Sequence, residues 1–273
     1  MCRLVGYAGP AIALERIVTR PRHSLLQQSQ QAHEAKLAVN GDGFGMAWYT
    51  GEDAEPGLYR DVLPAWSDGN LPSLCRVIRS PLFVAHVRAG TTGGTSRTNC
   101  HPFVHGRWCF AHNGQVAGFE ALRRPLEAAL PDALYRRRQG TTDSELLFLT
   151  MLAHGLEEAP VEAVAATITA VEALQDGPAP NRLTCLLSDG TRILGFRHSG
   201  EGPAPTLYVS RGPLDHGGRA LASEPLDGVA ANWIAVEEGG LVTLTPEAAL
   251  IGRLPGRTAA PAPQDQVTSL RKM

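Results

Sequence analysis

The sequence predicts an α+β fold in which helices cover two β-sheets. Short apolar runs between glycine-rich turns fill residues 2–116, helical periodicity takes over across 121–175, and apolar runs return from 182 to 245. Strands, then helices, then strands is the order of segregated layers, not of alternating βαβ units. The 273 residues, 43% of them hydrophobic, suffice for a sizeable core and for one or two domains.

Each element has its own warrant. Residues 2–9, 43–51, 81–90 and 107–116 are apolar runs closed by glycine or turn residues and are expected to be strands. Residues 121–138, 144–158 and 160–175 carry helical spacing, the last with Pro160 in its first turn. Residues 182–198 contain Ser-Asp-Gly-Thr between two apolar runs, a hairpin signal because Asp-Gly supplies positive φ. Further strands are expected in 206–212, 219–226 and 233–245. The domain is expected to span 2–254, with a loose tail over 255–273, where Pro, Ala and polar residues offer little to bury.

Bulk composition removes several function classes. A net charge of −2 and a well-mixed 19% of charged residues give no electrostatic case for nucleic acid or an anionic membrane surface. No stretch approaches the roughly 20 apolar residues of a membrane span, and no signal peptide is visible. Five cysteines without a C-x-x-C argue for a reducing compartment, so the chain reads as soluble and cytoplasmic. These features leave oligomeric state open; a homo-oligomer is compatible with them.

Several positions have two readings. Cys2 follows the initiator methionine, which is commonly trimmed before small residues. It is either a small buried cysteine or a chain-terminal thiol carrying its own α-amine, whose pKa of roughly 7.7–8.0 makes it a usable base. Arg88 near the end of a strand is either a surface residue or a two-pronged ligand for a carboxylate, and Thr91 follows it with a hydroxyl. Asn113-Gly114 is either a turn or a pair of donors for an oxyanion. Thr142-x-x-Glu145 is a capping box, and Asp143 in the first turn could also bind an ammonium. The glycines of 40–45 suit a tight loop and do not match a dinucleotide fingerprint. Cys100, His101, His105, Cys109 and His112, with His86, lack the paired spacing of a zinc site, so no metal is expected.

Together, Met-Cys at the start, His86-x-Arg88-x-x-Thr91, Asn99-x-His101-Pro102, His112-Asn113-Gly114 and Thr142-Asp143-Ser144-Glu145 form an ordered set. The set resembles the class II glutamine amidotransferases, which are N-terminal-nucleophile hydrolases with a four-layer α/β/β/α sandwich. The resemblance implies Cys2 as nucleophile and Asn113 with Gly114 as oxyanion hole. It implies Arg88 and Asp143 as ligands of the glutamyl α-carboxylate and α-ammonium, with Thr91 in support, and no cofactor. The chain departs at Ala89, where some amidotransferases place tryptophan.

Residues 23–30, 40–49, 63–74 and the later strands resemble a standalone branch, the γ-glutamyl-hercynylcysteine sulfoxide hydrolases of ergothioneine biosynthesis. Gly41 departs from the alanine usual there. The expected partner is then a small γ-glutamyl substrate. The alternatives are an amidase for another γ-glutamyl compound such as glutathione, a glutaminase subunit serving a separate synthase, and a catalytically silent scaffold.

Overall fold

The computed structural model describes residues 2–35, 38–90, 92–177 and 179–256. The chain runs through β1 (Arg3–Ala13), α1 (Glu15–Val18), α2 (Leu25–Gln30), β2 (Phe44–Tyr49), β3 (Gly57–Asp61), α3 (Leu71–Val77), β4 (Arg79–Val87), β5 (Phe103–His105) and β6 (Trp108–Gln115). Four helices follow: α4 (Phe119–Ala128), α5 (Asp132–Tyr135), α6 (Asp143–Ala153) and α7 (Pro160–Ala173). The chain then completes both sheets with β7 (Arg182–Ser188), β8 (Ile193–Ser199), β9 (Tyr208–Ser210), β10 (Arg219–Ala222), β11 (Trp233–Ala235), β12 (Gly240–Leu244) and β13 (Ala249–Arg253).

One sheet has seven strands in the order β11-β9-β10-β1-β4-β2-β3, and the other six in the order β13-β12-β8-β7-β6-β5. Side-chain alternation explains how they stack. Leu4 and Ala8 of β1 and Leu82 and Val84 of β4 share a core with Cys109 and Ala111 of β6 and Leu186 of β7. Val5, Tyr7, Phe83 and Ala85 point the other way, toward Ile17, Leu25 and Leu71 of the first three helices. Phe110, Cys185 and Leu187 pack on Leu147, Phe148 and Val164 of α6 and α7. The result is the expected four layers, helix, sheet, sheet, helix. Because central strands are covered on both faces, they read as almost unbroken apolar runs.

Three local differences have physical reasons. The helix expected over 121–138 is two helices, because Pro131 cannot continue the hydrogen-bond ladder. The Asp189-Gly190 hairpin has a four-residue loop: Ser188 pairs with Ile193, and Asp189 Oδ1 accepts the N–H groups of Thr191 and Arg192. Edge strands β3, β5 and β13 were not anticipated; their side chains are largely half-buried or exposed, so the apolar pattern is weak.

Candidate active site

The register of β1 against β4 decides which residues meet first. Arg3 lies opposite Val87, so one step toward the chain start brings Cys2 beside Arg88 and Ala89. The Ala89 N–H donates to Cys2 Sγ at 3.3 Å. Cys2 is 9% exposed. Burial pushes its thiol up, opposed by the Ala89 N–H and by the positive charges of Arg88 and Arg3. The resting sulfur is therefore protonated near neutrality, and attack needs a base close by.

Arg88 is buried where it leaves β4. Its Nη2 donates to the carbonyls of Thr92 at 2.9 Å and Gly93 at 3.2 Å. The glycine loop at 40–45 braces it from behind: the Arg88 N–H donates to the Gly43 carbonyl, and Asp42 Oδ2 accepts the Gly90 N–H at 2.7 Å. The sequence anticipated the loop but not Asp42. Thr91 lies outside the described residues.

Asn113 and Gly114 are not a turn; both sit within β6, opposite Thr184 and Leu183 of β7. Gly114 adopts φ +151°, and a Cβ there would overlap the Arg182 carbonyl oxygen, so the backbone requires glycine. The Asn113 side chain is fully buried, and neither Nδ2 nor Oδ1 has a hydrogen-bond partner among the described residues. An unpaired buried amide costs about 1–3 kcal/mol, and few survive in native folds.

Three histidines tie the two sheets together behind these groups. His86 Nε2 donates to the His112 carbonyl at 3.2 Å. The His101 ring packs 4.2 Å from that of His86. His112 Nε2 donates to the Arg182 carbonyl at 3.1 Å, which leaves Nδ1 as acceptor for the Ser144 hydroxyl at 2.9 Å. On α6, the Asp143 carboxylate accepts the Ser144 N–H at 2.8 Å and, through its other oxygen, the Val116 N–H at 2.8 Å. The capping box forms by half. Thr142 Oγ1 accepts the Glu145 N–H, whereas the Glu145 carboxylate reaches back to the N–H groups of Gln139 and Gly140. Asn99 links the loop after Arg88 to this helix start, accepting the Thr141 N–H and donating to the Gly94 carbonyl. These contacts link the ends of β1, β4 and β6 and the start of α6, which carry Cys2, Arg88, Asn113, Gly114 and Asp143.

The histidines predict an acid sensitivity. Burial holds His86 down to about 3, and it holds His101 and His112 below their ordinary value as well. All three are neutral in the fold but take up protons in the unfolded chain below about pH 6.5. The unfolded state then binds more protons, so the stability is fully present above that pH and is lost as pH falls. Urea denaturation between pH 7 and 5 should show a loss whose slope approaches about 1.4 kcal/mol per pH unit per histidine at the acid end, and His86→Phe should flatten the slope. A pH-independent midpoint would mean that these rings take up protons as readily in the fold as in the unfolded chain.

A second buried cluster escaped the sequence reading. Glu224 accepts Arg3 Nη1 at 3.1 Å, His23 Nε2 at 2.6 Å and the N–H groups of His33 and Glu34, each at 3.0 Å. His23, His33 and Glu224 offer ligand atoms within 4.8 Å of one another, but four donors already occupy the carboxylate. The cluster fixes Arg3, the neighbour of Cys2.

Residues 19–213 match the family described as glutamine amidotransferases class-II. The chain belongs to this family. It is an amidohydrolase of the type that acts on γ-glutamyl amides. Over 248 residues this amidotransferase is 32% identical to the gamma-glutamyl-hercynylcysteine sulfoxide hydrolase of Mycobacterium tuberculosis, covering 90% of this chain and 93% of that one. It is 40% identical over 161 residues to the probable glutamine amidotransferase DUG3 of Saccharomyces cerevisiae, a match that spans 45% of the yeast protein. A solved glutamine aminotransferase class-II domain protein from Silicibacter pomeroyi superposes with a TM-score of 0.72 at 37% identity, covering 93% of this chain and all of that one. The fold is thus that of the N-terminal-nucleophile amidotransferases. Among the described residues no helix is long and apolar enough to cross a membrane.

Proposed function

We propose that the protein hydrolyses a γ-glutamyl amide through a thioester on Cys2, with γ-glutamyl-hercynylcysteine sulfoxide as substrate. The observation that carries the chemistry is the buried, unpartnered Asn113 amide beside Gly114, on contacts continuous with Cys2. The choice of substrate rests on the near full-length similarity to the mycobacterial hydrolase.

A γ-glutamyl group presents one carboxylate, one ammonium and one scissile amide. Arg88 binds the carboxylate and Asp143 the ammonium, each complementary in charge, and Thr91 supports that pocket. The mature chain begins at Cys2. Its α-amine takes the thiol proton, which burial would otherwise hold on sulfur, and Sγ attacks the γ-carbonyl carbon. Asn113 Nδ2 and the Gly114 N–H donate to the tetrahedral oxygen as it gains charge. The C–N bond breaks, and the leaving amine takes the proton from the α-ammonium. Water then attacks the thioester, releasing glutamate and restoring the thiol. No metal, cofactor or ATP enters, and the enzyme acts in the cytoplasm.

Arg88→Lys should raise KM about 10- to 100-fold with a smaller change in kcat, because lysine cannot make the two-pronged contact, and a charge-assisted hydrogen bond is worth about 1.5–3 kcal/mol. An unchanged KM would reassign the carboxylate ligand. A second reading, a glutaminase working with a partner, is favoured by the similarity to DUG3. Glutamate release from the γ-glutamyl sulfoxide, glutathione and glutamine, offered side by side, separates them. The proposal expects the sulfoxide to have the highest kcat/KM. Preference for free glutamine would favour the second reading.

A further inference from the structure

A cavity lies away from Cys2, at the other end of β1. It has a volume of about 1160 Å³, and its walls include Ile12 and Ala13, the last residues of the strand that Cys2 precedes. At about 3.3 Å per residue, that strand separates the two places by roughly 30 Å. None of Cys2, Arg88, Asn113, Gly114 and Asp143 lines the cavity.

Its chemistry is unlike that of the chain as a whole. The protein carries a net charge of −2, yet six of its 25 Lys and Arg residues converge here: Arg16, Arg20, Arg22, Arg76, Arg79 and Arg211. Three carboxylates share the walls, and two of them are already engaged. Glu15 pairs with Arg20 at 3.0 Å. Asp227 accepts the Val229 N–H, the Asn232 amide and the Trp233 indole N–H. Arg16, Arg22 and Arg76 form no ion pair among the described residues. Arg79 and Arg211 are each oriented by one bond to a carbonyl, of Ala11 at 3.3 Å and Ala231 at 3.2 Å. All six arginines are exposed, and guanidinium groups gathered around one concave space create a local positive field that attracts anions.

An independent feature points the same way. His216 also lines the cavity, its ring stacked 5.7 Å from that of Tyr7, and its Nε2 is buried without a hydrogen-bond partner. A histidine in the wall and several guanidinium forks around one space match the oxygens of phosphate groups. The volume exceeds what a single phosphate fills and lies just above the usual range of small-molecule sites.

We infer that this cavity binds a nucleotide-sized organic polyphosphate, at a site separate from the γ-glutamyl centre. Phosphate groups would lie among Arg16, Arg76, Arg79 and Arg211, with His216 as a further donor. The site does not depend on which γ-glutamyl amide the enzyme cleaves.

Isothermal titration of the full-length protein with ADP and with pyrophosphate tests it. Saturable binding of either, with a Kd below roughly 100 μM at an ionic strength near 0.15 M, is expected. Tighter binding of ADP would show that the nucleoside is held as well, and equal binding that the phosphates suffice; both outcomes support the site. Arg76→Gln with Arg211→Gln should weaken binding at least about tenfold, while circular dichroism and basal glutamate release stay unchanged. Arg16→Gln with Arg79→Gln provides a second variant should the first fail to fold. No heat of binding for either compound at about 1 mM, or equal affinity in a folded variant, would overturn the inference.

Discussion

Replacing Cys2 with alanine should lower glutamate release by at least about 10⁴-fold, the scale on which loss of a covalent nucleophile is felt. The variant should stay folded. Cys2 precedes β1 rather than lying within it, and its thiol makes only two weak hydrogen bonds, accepting the Ala89 N–H and donating to the Ala89 carbonyl. The lost transfer energy of one sulfur is modest beside the packing of Leu4, Val5 and Tyr7, which anchor the strand in two cores. Alanine is also small enough for the preceding methionine to be trimmed, so the start of the chain is not altered. Cys2→Ser should fail almost as completely, because a hydroxyl in this buried position gives up its proton far less readily than a thiol. Glutamate release by Cys2→Ala within about tenfold of the parent would remove the sulfur from the reaction.

Asn113→Ala should lower kcat about 10²- to 10³-fold and leave KM within a few-fold, the pattern of a donor that acts on the transition state. Stability offers a second readout with an unusual sign. In the resting protein the Asn113 amide is buried with both polar atoms unpaired. Its removal takes away an unpaired polar group along with some packing. These changes offset each other, and the urea midpoint should hold or rise. A drop of several kcal/mol with kcat unchanged would show that Asn113 is a structural residue, and the oxyanion hole would have to be sought elsewhere.

The parts of the fold legible in the sequence were those whose burial is uniform. Residues 2–9 and 81–90 stood out as strands because β1 and β4 are apolar on both faces. Helices α1 to α3, of four to seven residues, are too short for periodicity to show, and they are held by the sheet beneath them. At the candidate site, Cys2, Arg88, Asn113 and Asp143 were proposed from residue type and from the order of motifs that the resemblance supplied. Their supports were not. Asp42 braces the backbone 48 positions away, Ser144 bonds His112 across 32, and Glu224 holds Arg3 across 221. Such pairings are set by strand register and by the stacking of two sheets, which no local pattern encodes. The arginine cavity belongs to the same class, since its guanidinium groups come from β4, two loops and two helices.

The central claim is that one residue supplies both the sulfur and the amine. Intact-mass spectrometry of the purified protein, performed on the sample whose glutamate release has been measured, tests it most directly. The active protein should be lighter than the translated sequence by one methionine, and during turnover it should carry the added mass of one glutamyl group. Full activity in protein that still retains Met1 would contradict the account.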